Sequence, residues 1–212
     1  MIDISELEVF FININNYLEN PLAKECLEEN LKRLKGAKIN ILSEKNEEVE
    51  YLREILLNNR ANKSFREKFL CYFCDYIKLY YLLNTDSKYC LYIDLDNIIN
   101  VDSIKFILEN PNSYYLDYLG YSSIIYSSNE NKDKFFEIFN YMMNLGYTRY
   151  CELSGDKIFD KFFTKKDRVL IYDKNYSISW KKILQENKAI YINSRIKREL
   201  GVIEENDKNR RT

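Results

Sequence analysis

The sequence contains no histidine at all. That absence excludes Ser-His and Cys-His nucleophile pairs and a histidine general base, which leaves carboxylates and a metal ion as the obvious catalytic tools. Glycine and proline are also scarce, with 5 and 2 residues, and no Gly- or Pro-rich linker divides the chain. We therefore expect one domain over residues 1–203, followed by a polar, frayed tail from 204 to 212.

Cysteine is present in an odd number, with five residues that do not form the ladder of a secreted, disulfide-rich protein. We expect reduced thiols. Cys71 and Cys74 have the CxxC spacing of zinc sites, but no second pair follows them, which disfavours a structural zinc site. The acidic start, Met1–Glu8, does not resemble a secretion signal, and no apolar run reaches the roughly 18 residues that span a bilayer. These features predict a cytoplasmic protein without a transmembrane segment.

Charge of one sign is not in excess, because 32 basic and 33 acidic residues leave a formal net charge of −1. A protein with so little positive charge has no long-range field to attract nucleic acid, so we exclude a nucleic-acid partner. The apolar fraction of 46% and the charged fraction of 31% are typical of a globular domain with a substantial core.

Strand and helix patterns alternate along the chain. We predict strands at Leu7–Ile14, Ala37–Leu42, Tyr89–Ile93, Tyr121–Tyr126 and Arg168–Tyr172. We predict helices at Pro21–Leu34, Glu47–Leu57, Asn62–Leu83, Asp102–Leu108, Lys132–Asn144 and Asp156–Phe163, with Ser43 as the N-cap of the second. This order favours an α/β fold with a single mixed, mostly parallel sheet flanked by helices.

The clearest candidate site is the segment Tyr-Cys-Leu-Tyr-Ile-Asp-Leu-Asp-Asn at residues 89–97. An apolar strand ends there in two carboxylates, Asp94 and Asp96, separated by one residue. Ligands of open α/β sheets bind where strands end, and two carboxylates at such a place suit a hard cation such as Mn²⁺ or Mg²⁺. Such an ion neutralises charge on a diphosphate leaving group.

The residues around this pair resemble the conserved block of DxD-motif glycosyltransferases with a GT-A fold, a family that includes bacterial toxin glucosyltransferases and capsule or mannosyl transferases. The resemblance rests on Cys74-Asp-Tyr-Ile-Lys78, on Leu82, and on Leu91-Tyr-Ile-Asp-Leu-Asp96. It implies a metal-dependent hexosyltransferase that uses a nucleotide-sugar donor, with UDP favoured, and retains anomeric configuration. The acceptor is an unknown glycan or protein.

The resemblance also implies roles for individual residues. Asp94 and Asp96 would bind the metal and the donor, Asp75 and Lys78 would contact the donor's sugar and ribose, and Tyr92 matches the tyrosine before the motif. The tip of the first strand, at Phe11, Ile12 and Asn13, would border the nucleobase. The chain departs from the family at this block in three ways: Lys78 stands where the family has arginine, the paired glycines before the strand are absent, and the connection from the helix to the strand is longer.

A second block, Asp173-Lys-Asn-Tyr-Ser-Ile-Ser-Trp180, resembles the family's C-terminal segment and contains the single tryptophan. The alignment implies Asn175 as a third metal ligand in place of a histidine or acid. It puts Ser177 and Ser179 near the diphosphate, and Trp180 over the donor as a catalytic residue. A core tryptophan with a satisfied N–H is the structural alternative for Trp180.

Two other interpretations stay open. Ile93-Asp-Leu-Asp-Asn97 also resembles the nucleophile strand of haloacid-dehalogenase-like phosphatases, with Asp94 as nucleophile and Asp96 as acid/base, and Gly155–Asp160 resembles their second acidic motif. The usual threonine is Ile98, however, and the long α/β region before Asp94 fits a transferase better. A catalytically impaired sugar-nucleotide-binding module is also compatible with Lys78 and Asn175.

Overall fold

A computed structural model describes residues 4–58, 66–99, 104–105, 108–109, 114–116, 124–129, 132–153, 155–164, 168–169 and 190–191. Its strands are β1 (Leu7–Asn13), β2 (Lys38–Ser43), β3 (Tyr89–Ile93), β4 (Asn97–Ile98), β5 (Tyr114–Leu116), β6 (Ile124–Ser128), β7 (Arg168–Val169) and β8 (Ile190–Tyr191). Its helices are α1 (Pro21–Arg33), α2 (Glu47–Asn58), α3 (Arg66–Asn84), α4 (Lys132–Leu153) and α5 (Gly155–Phe162). Short 3₁₀ turns lie at Ile4–Glu6 and Tyr17–Glu19.

Six strands form one mixed sheet in the order β2-β1-β3-β6-β5-β7. Strand β6 runs antiparallel to both of its neighbours, and the other pairs are parallel. Strands β2, β1 and β3 therefore end on the same side of the sheet, which we call the carboxyl edge; their starts form the amino edge. Strands β4 and β8 pair separately as a small antiparallel sheet.

Two hydrophobic layers cover the central strands. Alternate residues of β1 and β3, such as Phe10 and Tyr92, pack in one cluster with side chains of α2, α3, α4 and α5. The intervening residues, such as Phe11 and Leu91, pack in a second cluster with α1. All five residues of β3 are consequently buried, which is the pattern of a strand covered on both faces.

Helix α1 shows why local sequence predicted its limits well. The Asn20 side chain accepts a hydrogen bond from the Leu22 N–H, and Pro21 occupies the first turn, where its missing N–H costs nothing. Beyond the helix, Gly36 has φ +106°, a conformation that favours glycine, and an added Cβ would lie 3.0 Å from Ile4. The predicted helix Pro21–Leu34 is confirmed within one residue.

Several local predictions differ from the structure. Ser43 is the last residue of β2 rather than a helix cap, and the Asn46 carbonyl accepts from the Glu50 N–H in the first turn of α2. Strand β5 and the β4–β8 pair were not predicted, because two or three residues carry too little periodicity. Helix α4 extends to Leu153, well beyond the predicted end at Asn144. Within the described residues, no helix is both long and apolar enough to cross a membrane.

Candidate active site at the carboxyl edge

A cavity of about 230 Å³ opens at the carboxyl edge, where β1 and β3 end. Its described lining combines apolar side chains with two carboxylates: Ile12, Ile14, Tyr17, Cys74, Tyr92, Asp94, Leu95 and Asp96. This is the position in an α/β sheet where ligands are expected to bind. A mostly apolar wall with few convergent polar groups is also the usual composition of a small-molecule site.

Asp94 follows β3 and contacts the side chains of that strand and of α3. The Tyr92 hydroxyl donates to Asp94 Oδ1, and Lys78 Nζ lies 3.5 Å from the same oxygen. Among the described residues no hydrogen-bond donor is bound to Oδ2, and 32% of the Asp94 side chain is exposed. One carboxylate oxygen is thus held by protein while the side chain still borders the cavity.

Lys78 is the cation behind Asp94. It is 5% exposed, lies 3.0 Å from Asp75 Oδ1, and has its ammonium 4.6 Å from the centroid of the Tyr92 ring. Burial alone would lower the pKa of Lys78, but the charges of Asp75 and Asp94 hold that pKa well above its ordinary value. Lys78 therefore stays protonated and supplies one fixed positive charge.

That single charge does not compensate for all the carboxylates nearby. Burial, together with the charges of Asp96 and Asp75, raises the pKa of Asp94 to about 6, although Lys78 and the Tyr92 hydroxyl act in the opposite direction. Burial and the Asp94 charge also raise the pKa of the Tyr92 hydroxyl well above its ordinary value. Among the described residues, the site thus has an excess of negative charge that a bound cation would offset.

Asp96 is held from two sides at the cavity wall. The Tyr17 hydroxyl donates to its Oδ2 over 3.2 Å, and the Asn97 amide donates to its Oδ1 over 3.2 Å. Tyr17 lies on the turn after β1, where Asn15 and Asn16 both have positive φ. The Asn13 side chain accepts from the Leu18 N–H over 3.0 Å and so fixes this turn against the end of β1.

The carboxylates of the cavity suit a hard divalent cation that has further ligands from a bound molecule. Asp94 and Asp96 offer carboxylate oxygens to the same cavity, and the described residues contain no group of three metal-ligating side chains. Magnesium is commonly bound by one or two carboxylates together with substrate phosphates and water. The described residues therefore fit an ion that arrives with a phosphate ligand better than an all-protein metal cage.

The structure brings together most of the predicted site residues that it describes. Asp75, Lys78, Tyr92, Asp94 and Asp96 form one connected group, through the contacts given above and the shared cavity. Ile12 lines the cavity and Asn13 braces the adjoining turn.

Phe11 is placed differently from the donor-binding role predicted for it. It is fully buried in the α1-side core, because strand alternation turns it to the face opposite Ile12. Four predicted residues, Asn175, Ser177, Ser179 and Trp180, lie outside the described residues.

Sequence reasoning missed several lining residues, chiefly Tyr17, Cys74 and Leu95. A signal existed for Tyr17, since it follows a parallel strand that ends at the same edge as β3. Cys74 lies one residue before Asp75, and Cys26, Cys74 and Cys90, the cysteines whose side chains are described, form no disulfide with one another.

Comparison with known proteins shows a similarity in fold. No protein-family model and no curated protein sequence matches the chain. The glycosyltransferase GlyE of Streptococcus pneumoniae TIGR4 is similar in structure, with a TM-score of 0.51 and 14% identity over 88% of this chain and 54% of GlyE. A glycosyltransferase involved in the glycosylation of the major capsid of PBCV-1 has a TM-score of 0.46 and 9% identity over 92% of this chain and 98% of its own.

This chain thus spans about half the length of the GlyE structure. At such low identity the likeness concerns the fold alone. It confirms the predicted architecture, an α/β fold of the GT-A type with one mixed sheet flanked by helices.

Proposed function

We propose that this chain is a glycosyltransferase that takes its sugar from a nucleotide-sugar donor, with a UDP-sugar favoured and a glycan or protein as acceptor. The proposal is carried by one observation: Asp94 and Asp96 line the same cavity at the carboxyl edge, with Lys78 buried behind Asp94. The fold shared with GlyE, itself a glycosyltransferase, supports the same class of reaction.

Asp94 and Asp96 would hold Mn²⁺ or Mg²⁺, with Asn175 and the donor's diphosphate as further ligands. When bound, such an ion acts as a Lewis acid that neutralises the charge developing on the departing nucleotide diphosphate. Lys78 keeps Asp94 oriented and ionised, and it leaves the pair with enough negative charge to attract a cation.

The rest of the lining suits the remaining parts of a nucleotide sugar. Ile12, Ile14 and Tyr17 form an apolar wall that would accept the nucleoside. Asp75 and Lys78 would orient the sugar, either directly or through Asp94; the two are paired with each other, and the Lys78 ammonium lies over the ring of Tyr92, which lines the cavity. Ser177, Ser179 and Trp180 would steady the diphosphate from the C-terminal segment.

Transfer would retain anomeric configuration. The bond between the anomeric carbon and the phosphate oxygen breaks, and the acceptor oxygen bonds to the same face of that carbon. The acceptor's proton passes to the departing diphosphate, so the reaction needs no histidine base. The absence of histidine from the chain is compatible with this route.

The test is a thermal-shift and hydrolysis screen of nucleotide sugars with Mn²⁺, on the wild type and on Asp94→Ala and Asp96→Ala. Asp86→Ala is the matched control, because Asp86 is an exposed acid near the amino end of the same strand. We expect a donor-dependent rise in melting temperature and slow release of nucleoside diphosphate in the wild type and the control. A loss of several kcal/mol of transition-state stabilisation, about 10³-fold in rate, is expected in both site variants.

The same screen separates the other interpretations. Release of phosphate from an aryl phosphate, with no response to any nucleotide sugar, would replace the proposal with a phosphatase. Tight donor binding by the wild type, without hydrolysis or transfer to any acceptor tried, would support a sugar-nucleotide-binding module. Site variants that behave like Asp86→Ala would contradict a role for the carboxylate pair.

A further inference from the structure

Asp96 is connected to the protein interior through Asn97. The Asn97 amide donates to Asp96 Oδ1 over 3.2 Å, while its own side chain is fully buried at the start of β4. The backbone turns sharply here, because the Asn97 N–H donates to the Asp94 carbonyl over 3.0 Å. Asn97 therefore links the turn that carries both carboxylates to the core behind it.

Helix α1 holds Asn97 in place through a second buried amide. Asn30 is fully buried, donates from Nδ2 to the Asn97 carbonyl over 2.7 Å, and accepts at Oδ1 from the Ile99 N–H over 3.0 Å. Arg33, one turn further along α1, donates to the Ile99 carbonyl over 3.1 Å. These three bonds pin residues 97–99 against α1 directly after the carboxylate pair.

These contacts restrict the last side-chain torsion of Asp96, which would otherwise rotate freely. Rotation of a carboxylate about its last side-chain bond is broad and roughly two-fold, so the direction of the Asp96 oxygens must be set by hydrogen-bond donors. Tyr17 donates from a surface turn, and Asn97 donates from a position anchored in the core. Partners that orient metal ligands in this way usually affect metal affinity 10- to 100-fold.

We propose that Asn97, locked by Asn30, is a positioning residue that aims the Asp96 carboxylate into the cavity and thereby sets the affinity for a divalent cation and a nucleoside diphosphate. The inference rests on the proposed function, since it assumes that Asp96 binds a metal ion and its phosphate ligand. A merely structural Asn97 would affect folding stability and leave binding to the folded protein unchanged.

The experiment compares Asn97→Leu with Asn40→Leu in the full chain. Asn40 is a matched control, because its amide also donates to a carboxylate, that of Glu8, but at the amino edge. Leucine has nearly the shape of asparagine and adds no charge. Calorimetric titration with Mn²⁺ and UDP measures affinity, and thermal melting of the metal-free protein measures stability. We expect Asn97→Leu to bind Mn²⁺ and UDP about 10- to 100-fold more weakly, with Asn40→Leu unchanged.

A second variant, Asn30→Asp, covers the case in which Asn97→Leu does not fold. It keeps an acceptor for the Ile99 N–H but loses the donor to the Asn97 carbonyl, and we expect it to weaken Mn²⁺ binding as well. Wild-type affinity in the folded variants would overturn the inference and leave the proposed function intact. A wild type that binds neither Mn²⁺ nor UDP would overturn the proposed function, and this inference with it.

Discussion

Two carboxylates, Glu8 and Asp94, lie at opposite ends of the parallel strands β1 and β3. Their pKa values are shifted in opposite directions. Glu8, at the amino edge, accepts hydrogen bonds from Asn40, Thr85 and Ser87 and pairs with Lys38 over 2.8 Å. Burial alone would raise its pKa, but Lys38, Thr85 and Ser87 lower the pKa of Glu8 to about 2. At the carboxyl edge the pKa of Asp94 is raised to about 6 by burial and by neighbouring acids.

The difference distinguishes a carboxylate that stabilises the fold from one to which the proposed function gives a role in the reaction. The partners of Glu8 make its charge favourable in the folded protein, so ionisation adds to stability. Asp94 is ionised at neutral pH at a cost to folding, which is common for groups at functional sites. Four variants test this contrast, in order of decreasing effect.

Lys78→Met should have the largest effect. It would leave Asp75 and Asp94 without their buried cation, and breaking such a buried pair typically costs about 3–5 kcal/mol. Lys38→Met at the amino edge is the control, because the Lys38 side chain is 63% exposed and its pair with Glu8 should contribute about 1 kcal/mol or less. Urea denaturation at pH 7 measures both. Equal losses would contradict the contrast between the two edges.

Glu8→Gln should destabilise the protein at pH 7 by about 2–3 kcal/mol. The pKa of Glu8 is lower in the folded protein than in the unfolded chain, so its contribution is present above about pH 4.5 and is lost as the pH falls towards 2. Wild type and variant should therefore converge in stability as the pH falls. A constant difference between pH 7 and pH 2.5 in denaturant titrations would show that Glu8 contributes by packing rather than by charge.

Asp94→Asn should stabilise the metal-free protein by about 1–2 kcal/mol above pH 6 while abolishing most activity. The folded-state pKa of Asp94 is raised, so the protonated acid favours folding, and this contribution is lost as the pH rises through about 6. The gain should vanish below about pH 4, where the wild-type group is protonated in both states. Melting curves in a chelator at pH 4 and pH 7.5 check this, and destabilisation at the higher pH would refute it.

Asn13→Ala should have the smallest effect on folding, about 1 kcal/mol, from loss of the hydrogen bond to the Leu18 N–H. Because this bond fixes the turn carrying Tyr17, we also expect the KM for the nucleotide sugar to rise a few-fold. Asn46→Ala is the control, since the Asn46 side chain accepts from the Ser43 N–H over 2.7 Å in the turn after β2. A similar rise in KM for the control would mean that Asn13 acts through general stability.

Much of the fold could be predicted from local pattern. Strand β3 was predicted at its observed limits, and α1 within one residue, because an apolar run and a capped, periodic segment are local signals. Strand β5 and the β4–β8 pair could not be predicted, since their residues form strands only by pairing with distant ones. The site was predicted only in part. Asp94 and Asp96 stand in a recognisable motif, and Asn97 ends the same segment but was given no role there. Tyr17 and Asn30 stand in no such motif.

The sequence by itself predicted carboxylates and a metal ion as the catalytic tools, since histidine is absent, and it determined that two carboxylates follow an apolar strand. Only the tertiary structure decided which residues meet those carboxylates. Tyr17 reaches Asp96 across 79 positions of sequence, and the Asn30 side chain reaches the Asn97 backbone across 67. Hydrophobic and helical periodicity depends on residues that are close in the sequence. The direction of a side chain at a strand end depends instead on which elements the packed sheet brings beside it.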